Sequence, residues 1–505
     1  MTNRAVSLTP AVRALLAAAG DLLAGTPGYL VGGSLRDALR GRPPCDLDLA
    51  VAGDAPALAR GLAGRLRGHF VLLDKQRDIT RVVLDEGAVR TIDIAPLRGE
   101  IEADLGERDF TVDALAVPIE GFGEAAIIDP HGGLRDLDRR AVRLVSERAL
   151  VDDPLRLLRA VRLATQLDFK VTPETADAIR RHAGRISEAA PERQRDEIAR
   201  CLATPRAGQS LRLMDDLGLL ERLFPEVTAG RGVEQPKEHY WDVFDHAIEA
   251  VAALDFMLAE HEPGESREAQ FWLALWQALA VQPDLREQLA EEVSEGRSRA
   301  TLLKLAALLH DVAKPETRAP DATGRIRFFG HAERGAETAR LVLRRFRFSR
   351  REIDLVATMV EEHLRPTQLG QGGPPSRRAL YRFYRDTGDA AESVLLLCLA
   401  DHLAARGPRL HIEDWQHHAS YIAHVLGRRN EEEAIARPVR IVTGNEVMVA
   451  LGIDPGPEVG RLLAALEEAQ ASGEIANREE ALAFARKLHG KNGAEPALIG
   501  AGGAV

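Results

Sequence analysis

Asp46-Leu47-Asp48 adjoins the apolar run Leu47 to Val51. In a strand, residues two apart point to the same face, so two carboxylates stand side by side there. Like charges about 4 Å apart at an effective dielectric near 20 repel by roughly 4 kcal/mol, a cost that cations offset. A pair of divalent ions is the natural relief. Asp93, in Thr91-Ile92-Asp93-Ile94, offers a third carboxylate of the kind a two-metal site uses to activate a hydroxyl and steady a leaving pyrophosphate. A bare Asp-x-Asp is more often an exposed strand edge, but this one has company. Gly32-Gly33-Ser34-Leu35-Arg36-Asp37 follows an apolar strand and opens a helix, where backbone amides and the helix dipole hold phosphate and Arg36 adds a charge. The expected chemistry is nucleotidyl transfer with Mg2+.

A second set of chemistry-bearing residues lies further on. His310-Asp311 ends the apolar run Leu302 to Leu309 and precedes Val312-Ala313-Lys314, while His246, His331, His363 and Asp401 each sit on or beside a helical pattern. Imidazole with carboxylate suits Mn, Fe, Ni or Mg, and Lys314 would steady negative charge on a phosphate attacked by water. The plainer alternative is a fold kept for packing.

The elements that must position these residues change character along the chain. Short apolar runs alternate with turns from Tyr29 to Pro118 (Tyr29 to Val31, Leu47 to Val51, His69 to Leu73, Thr80 to Leu84, Ala88 to Ala95), which predicts a mixed sheet with helices. Asp85-Glu86-Gly87 reads as the turn of a tight hairpin between the last two. Beyond about Asp129 strand patterns all but vanish, and from Asp152 to Val425 apolar residues recur at three and four, as in Leu155, Leu158, Ala160, Leu163 and Leu167. The clearest breaks are Thr228 to Pro236 and Gly370 to Pro375. Thr9-Pro10 caps an opening helix that is too interrupted by Arg13 and Asp21 to be a signal peptide.

At 505 residues the chain exceeds one ordinary core. Apolar residues at 45% and charged residues at 28% describe a soluble globular protein without a membrane span. Three distant cysteines without CxxC spacing argue against a disulfide framework and for the cytoplasm. A net charge of -11 argues against unselective nucleic-acid coating, although arginine-rich Arg135 to Arg212 and Arg340 to Arg351 would each serve as a phosphate track or a solvated face.

The run Gly32 to Asp48, together with Arg108-Asp109-Phe110-Thr111-Val112-Asp113-Ala114, Asp129-Pro130-His131-Gly132-Gly133-Leu134-Arg135-Asp136-Leu137 and Asp153-Pro154-Leu155-Arg156-Leu157-Leu158-Arg159-Ala160, resembles the class II tRNA nucleotidyltransferases, the CCA-adding enzymes and their poly(A) polymerase relatives. The resemblance implies an α+β, polymerase-β-like head followed by an all-α neck and body. It implies that Asp46, Asp48 and Asp93 carry the head's Mg2+, that Gly32, Gly33, Ser34 and Arg36 hold phosphate, and that Arg108 and Asp109 contact the nucleotide's sugar and phosphates. Asp153 and Arg156 would read the base of CTP or ATP, with Arg159 beside them. As residues three apart on one helix, the first two would present an acceptor and a forked donor on one face. Arg193, Arg195 and Glu197 resemble the helix that braces this template. Glu107 and Asp113 depart from the family pattern, which places an arginine and an asparagine there, and only fourteen residues separate Asp93 from Arg108.

The order His246, His310-Asp311, His331, His363, Asp401 resembles the HD phosphohydrolase superfamily, implying an all-α metal domain over 236–425. The expected organisation is an N-terminal helix (1–27), a head (28–145), a neck and body (146–235), that domain, a C-terminal helical domain (438–490) and a disordered tail (491–505). The expected function is addition of nucleotides from CTP and ATP to the tRNA 3′ end, with HD hydrolysis of nucleotide or RNA ends. Addition of CC alone, poly(A) synthesis, and a phosphohydrolase whose head merely binds nucleotide stand as alternatives, and the sequence leaves the oligomeric state open.

Overall fold

The computed structural model describes residues 8–120, 122, 126–260, 266–370, 373–436 and 440–492. It divides into two compact units, Met1–Pro225 and Glu226–Val505. Most of the expected tail, and two residues of the Gly370 to Pro375 break, lie outside the described residues.

The first unit opens with helix Pro10–Leu23, whose first turn is prepared by proline and capped by Thr9 Oγ1, which accepts from Val12 N at 3.3 Å. Six strands follow: β1 (Gly28–Val31), β2 (Asp46–Val51), β3 (His69–Asp74), β4 (Ile79–Val83), β5 (Thr91–Pro96) and β6 (Ala116–Pro118). They form one sheet in the order β3-β4-β5-β2-β1-β6. Its β2–β5 pairing is parallel and the other pairings are antiparallel. On β2 and β5 the alternation works as expected. Leu47, Leu49, Ile92 and Ile94 are buried, while the aspartates between them share the opposite face.

The hairpin is wider than its turn residues suggest. Val83 pairs with Thr91, and Leu84 N donates to Arg90 O at 2.8 Å, so the connection reaches beyond Asp85-Glu86-Gly87. Val89 is buried, and Arg90 N donates to Cys45 O at 2.7 Å, which ties this stretch to the chain entering β2 instead of to β4.

Helices dominate the rest of the unit. Leu157, Leu158, Ala160, Val161, Leu163 and Leu167 of helix Arg156–Leu167 are buried, and that helix packs against Pro191–Leu202 and Ala207–Asp216. The second unit is helical apart from short two-stranded ladders such as Arg318–Pro320 with Ile326–Phe328. Its centre is helix Arg299–Leu309, buried at every residue but Ala300 and packed against Val243–Met257, Arg350–Glu362 and Ala391–Arg406. Towards its end, Val442, Val447, Leu462, Leu466 and Ile475 form a separate small core. No described helix is long and apolar enough to cross a membrane.

Candidate active site

In the first unit, the parallel register of β2 and β5 sets Asp48 directly beside Asp93 and Asp46 beside Thr91. Thr91 Oγ1 donates to Asp46 Oδ1 at 2.6 Å. Burial, and then the charge on Asp93, push the Asp48 carboxyl up to about 6. Asp93 receives a bidentate pair from Arg81 (2.7 and 2.8 Å), whose own pKa is raised first by that bond and further by the fields of Asp93, Asp46 and Asp48. Arg81 thus pairs with Asp93 and feels the other two carboxylates, and Arg108 adds a second positive charge near Asp48. This hard, all-oxygen and partly exposed donor set fits Mg2+.

Gly32 sits against this group at φ +69, and a Cβ there would lie 3.2 Å from Asp48 Oδ2 and 3.1 Å from Arg108 Nη1. Glycine allows both the left-handed backbone and the close approach. Gly33 packs similarly over the Arg36 guanidinium. Ser34 is buried and its hydroxyl is engaged within the fold, donating to Val31 O (2.9 Å) and accepting from Asp48 N (3.2 Å). Arg36 is buried too, bonded to Asp113 at 2.6 Å and to Asp37 at 2.9 and 3.0 Å. Both residues brace β2 and the helix Gly32–Leu39. The acidic departure at Asp113 is absorbed by Arg36.

Arg108 reaches toward Asp104 (3.3 Å) and the Asp113 carbonyl (3.5 Å), and its buried Nε makes no hydrogen bond among the described residues. Asp109 is buried, its Oδ2 accepting from Arg159 Nε at 2.7 Å and its Oδ1 from Phe110 N at 3.0 Å. Burial opposes the Arg159 charge, but Asp109 and Asp113 hold its pKa above the usual value.

The expected single helical face for Asp153 and Arg156 is not formed. Asp153 precedes Pro154, which disfavours helical backbone, and it adopts φ -145, ψ 99 as the C-cap of Arg148–Asp152; the next helix starts at Arg156. The Asp153 carboxylate caps Leu155 N (3.1 Å) and binds Arg193 (2.8 and 3.3 Å), whereas Arg156 donates to Ala149 O (3.3 Å). Arg195 bonds its neighbour Asp196, and Glu197 ties down Arg162 and Arg200, both at 2.8 Å. A cavity of about 320 Å³ brings Arg108 and Arg156 together with Arg77, Arg98, Asp104 and Glu107. Arg98 pairs with Glu107 at 2.8 Å. Arg77 and Arg81 belong to no motif of the sequence. Arg81 would have been visible from the correct hairpin register, Arg81 opposite Asp93.

In the second unit all six anticipated ligands meet. Asp311 is central. Its Oδ2 lies 3.4 Å from His246 Nε2 and 3.2 Å from His310 Nε2, and its Oδ1 lies 3.4 Å from His331 Nε2 and 3.7 Å from His363 Nε2. Asp401 Oδ1 is 3.0 Å from His246 Nε2 and 3.7 Å from His310 Nε2. The Nδ1 atoms of His310, His331 and His363 lie 2.6 to 2.7 Å from the carbonyls of Ala307, Phe328 and Val360, an arrangement that leaves each Nε2 as the lone-pair donor. Asp311 Oδ1 and His331 Nε2 are buried without a hydrogen bond among the described residues. The donor set fits one ion on each side of Asp311.

Charge within the cluster is balanced by its own groups. Burial opposes protonation of His310, yet Asp311 and Asp401 raise it to about 10, and burial with the His310 charge lowers His363 to about 3. Burial works against the Asp311 charge as well, but His310 and Lys314, whose Nζ lies 2.5 Å from Oδ2, hold it far below the usual carboxylate range. Gln235 positions Lys314 through a 2.6 Å bond. His239 adjoins the cluster, close enough to His246 and Asp401 to share an ion. Its segment carries no helical period, so the sequence gives no signal for it.

Four family models match the chain: the poly A polymerase head domain over residues 28–143, the probable RNA- and SrmB-binding site of polymerase A over 168–230, the HD domain over 284–406, and tRNA nucleotidyltransferase domain 2 over 415–485. The HD match begins after His246, which the fold nevertheless brings to the cluster. The solved structure of the Thermotoga maritima CCA-adding enzyme complexed with tRNA shares the fold at TM-score 0.55 and 21% identity, covering 95% of this chain and 96% of that one. The A-adding tRNA nucleotidyltransferase of Deinococcus radiodurans is 37% identical over 91% of this chain and 94% of its own. The CC-adding tRNA nucleotidyltransferase of Thermus thermophilus is 38% identical over 90% and 92%. With likeness of that degree running through head, helical middle and HD domain, the chain belongs to the tRNA nucleotidyltransferase family.

Proposed function

We propose that this chain adds nucleotides from CTP and ATP to the 3′ end of tRNA, completing or repairing CCA. The observation that carries this reading is the pairing of Asp48 with Asp93 on adjacent parallel strands, with Asp46 one alternation away. Mg2+ bound by these three carboxylates would supply the positive charge that a transferring phosphoryl group and leaving pyrophosphate need. The chain's own residues do the positioning. Gly32 lets the backbone approach the carboxylates, Arg108 and Arg156 in the cavity bind phosphate and base, and Arg36, Ser34, Asp109 and Arg159 fix the strands and helices that carry them. Such work belongs in the cytoplasm.

Addition of CC alone is a second reading, and one observation favours it. In the resembling family the change from C to A calls for a movable segment after the third aspartate. Here that segment runs from β5 almost directly into helix Ile101–Gly106, whose Ile101 and Leu105 are buried in the head's core. The experiment that tests both readings gives the purified chain tRNA transcripts lacking CCA, lacking only A, or complete, with CTP and ATP separately and together, and resolves products to one nucleotide. Efficient extension of the transcript lacking A removes the CC-only reading. A stop after two C residues with both nucleotides present removes the CCA reading, and long A tails on generic RNA would remove both.

The second unit is proposed to hydrolyse phosphate esters at nucleotide or RNA ends. A divalent ion, Mn, Fe, Ni or Mg, held by the histidines and Asp311 would supply Lewis acidity to a phosphoryl oxygen. Lys314, held by Asp311 and Gln235, would steady charge developing on the phosphate.

A further inference from the structure

The sheet of the first unit ends on β3, and among the described residues no strand pairs with its outer edge. Its sequence His69-Phe70-Val71-Leu72-Leu73-Asp74 is apolar at the middle positions, and Val71, Leu72 and Leu73 are 40%, 43% and 46% exposed. The other large apolar residues exposed in this unit, Leu22 and Val151, stand singly. Open edges are normally blunted by charge, proline or a bulge, because their free N–H and C=O groups pair with any strand that arrives. β3 has no proline and no lysine. Its one irregularity is the extra residue Leu73, since Leu72 stands opposite Thr80 and Asp74 opposite Ile79.

Side chains of β3 sort to two faces. Phe70 and Leu72 share the side of helix Ala55–Leu66, where the Arg60 guanidinium lies 4.8 Å from the Phe70 ring centroid. His69, Val71 and Asp74 share the face of the catalytic aspartates, because Val71 is opposite Arg81 and Arg81 is opposite Asp93. Arranged this way, the strand is complementary to itself. A second copy laid antiparallel about a two-fold axis normal to the sheet at Val71 sets Val71 against Val71, Phe70 against Leu72 and His69 against Asp74, with Leu73 the extra residue in each copy. Apolar meets apolar at the centre, and an imidazole meets a carboxylate at both ends. His69 Nε2 already lies 3.3 Å from Asp85 of its own chain, which leaves Nδ1 for a second carboxylate. Asp74 Oδ1 accepts from Gln76 N and Arg77 N at 2.8 and 3.1 Å, while Oδ2 has Arg77 Nε 3.9 Å away. Moving the axis to Leu72 would set Val71 against Asp74 and Phe70 against Lys75, and moving it to Phe70 would pair only His69 to Val71. One register matches the whole strand.

We propose that two copies of this chain associate through β3, joining their sheets edge to edge. An unrelated apolar strand would match the centre of β3, but a second copy also matches the charge at both ends. The two-fold keeps both aspartate faces on the same side of the joined sheet. The row Asp48, Asp93, Arg81, Val71 crosses β2, β5, β4 and β3 and continues into the other copy in reverse order. The two Asp93 residues then stand about 24 Å apart, five strand spacings of about 4.8 Å. Pairing on its outer side holds β3 and, through it, the strand that presents Arg81 to Asp93. One pair of short strands makes a small interface, so the association depends on protein concentration.

The test is analytical ultracentrifugation of the full chain, free of RNA, over a range of protein concentrations. Expected is a monomer–dimer equilibrium of the 55.1 kDa chain. Leu72→Glu, on the face away from the aspartates, should raise the dissociation constant at least tenfold, and an unchanged circular dichroism spectrum shows that the variant folds. Val71→Cys in a Cys45→Ser background, which removes the exposed native thiol, should form a disulfide-linked dimer on mild oxidation. Residues on the axis face each other with Cα atoms about 4.5–5.5 Å apart, within disulfide reach. Leu73→Cys in the same background, off the axis, should not cross-link. A wild-type chain that stays monomeric at every concentration overturns the proposal, as does a dimer that Leu72→Glu leaves intact or Val71→Cys fails to cross-link. Two other occupants would show themselves. A monomer that dimerises only after removal of residues 1–7 would mean that the N-terminus covers the edge, and a monomer whose Leu72→Glu variant loses tRNA affinity would give the edge to RNA; either result overturns the pairing.

Discussion

The two carboxylate-bearing sites solve opposite problems. In the head, three aspartates lie on partly exposed strand faces, and Arg81 binds Asp93 through a pair whose side chains are 38% and 29% exposed, while Arg108 adds charge near Asp48. In the second unit, Asp311 and its four histidines are almost wholly enclosed, and three of the imidazoles are oriented by backbone carbonyls. Oxygen donors open to solvent suit an ion that arrives with each nucleotide and leaves with pyrophosphate. Enclosed nitrogen donors with fixed lone pairs suit an ion that stays.

That contrast breaks most sharply under mutation. Asp46→Ala or Asp48→Ala should lower nucleotide addition by at least 1000-fold with the circular dichroism spectrum unchanged, since each would remove a proposed ion ligand but little packing. Retained incorporation in either variant would sink the assignment. His310→Ala combined with Asp311→Ala should empty the second unit of transition metal by elemental analysis and spare nucleotide addition. Removing Asp311 leaves Lys314 buried without its carboxylate, so a stability loss of about 3 kcal/mol is expected as well. Wild-type protein that carries no metal after expression in Mn-supplemented medium would contradict the retained-ion view.

A third, smaller effect reverses sign. The folded pKa of Asp48, about 6, lies above its ordinary 3.8, so the folded state favours the protonated carboxyl. Its contribution is fully present below pH 3.8 and is lost as pH rises through 6. In EDTA at pH 8, Asp48→Asn should therefore stabilise the head by about 2–3 kcal/mol, with the gain gone near pH 3.5. Equal urea midpoints for variant and wild type at pH 8 would show that Asp48 is not strained by its neighbour.

The aspartate pair and the meeting of the six HD residues were legible because alternation and motif order need only local sequence. Arg81 was not. A three-residue turn would place it opposite Thr91, whereas the wider connection slides it two positions to Asp93, and a slip of two keeps every side chain on its face and so leaves no trace in the hydrophobic pattern. The break between Asp153 and Arg156 was written in Pro154, but the periodicity on either side concealed it. The cavity lined by Trp241 and Leu410 joins residues more than 160 positions apart, beyond any spacing rule.

The smallest expected effect probes how the first unit holds the residues that would read a base. Asp153 is fixed by Arg193, whose side chain is 54% exposed, and exposed pairs contribute at most about 1 kcal/mol. Burial raises the Asp153 pKa, but the Arg193 and Leu155 bonds together with the charges of Arg193 and Arg156 outweigh it, leaving the carboxyl below its ordinary value. Arg193→Ala should thus shift the melting temperature by no more than a few degrees. It should still matter to selection, because Asp153 sits on non-helical backbone before Pro154 and has no helix of its own to orient its side chain. The expected result is a three- to tenfold fall in the kcat/KM ratio of correct to incorrect nucleotide, with Arg193→Lys restoring part of it. A variant with unchanged discrimination would mean that Asp153 is a helix cap alone. A large loss of stability would mean that the first unit, like the second, depends on its ion pairs for folding.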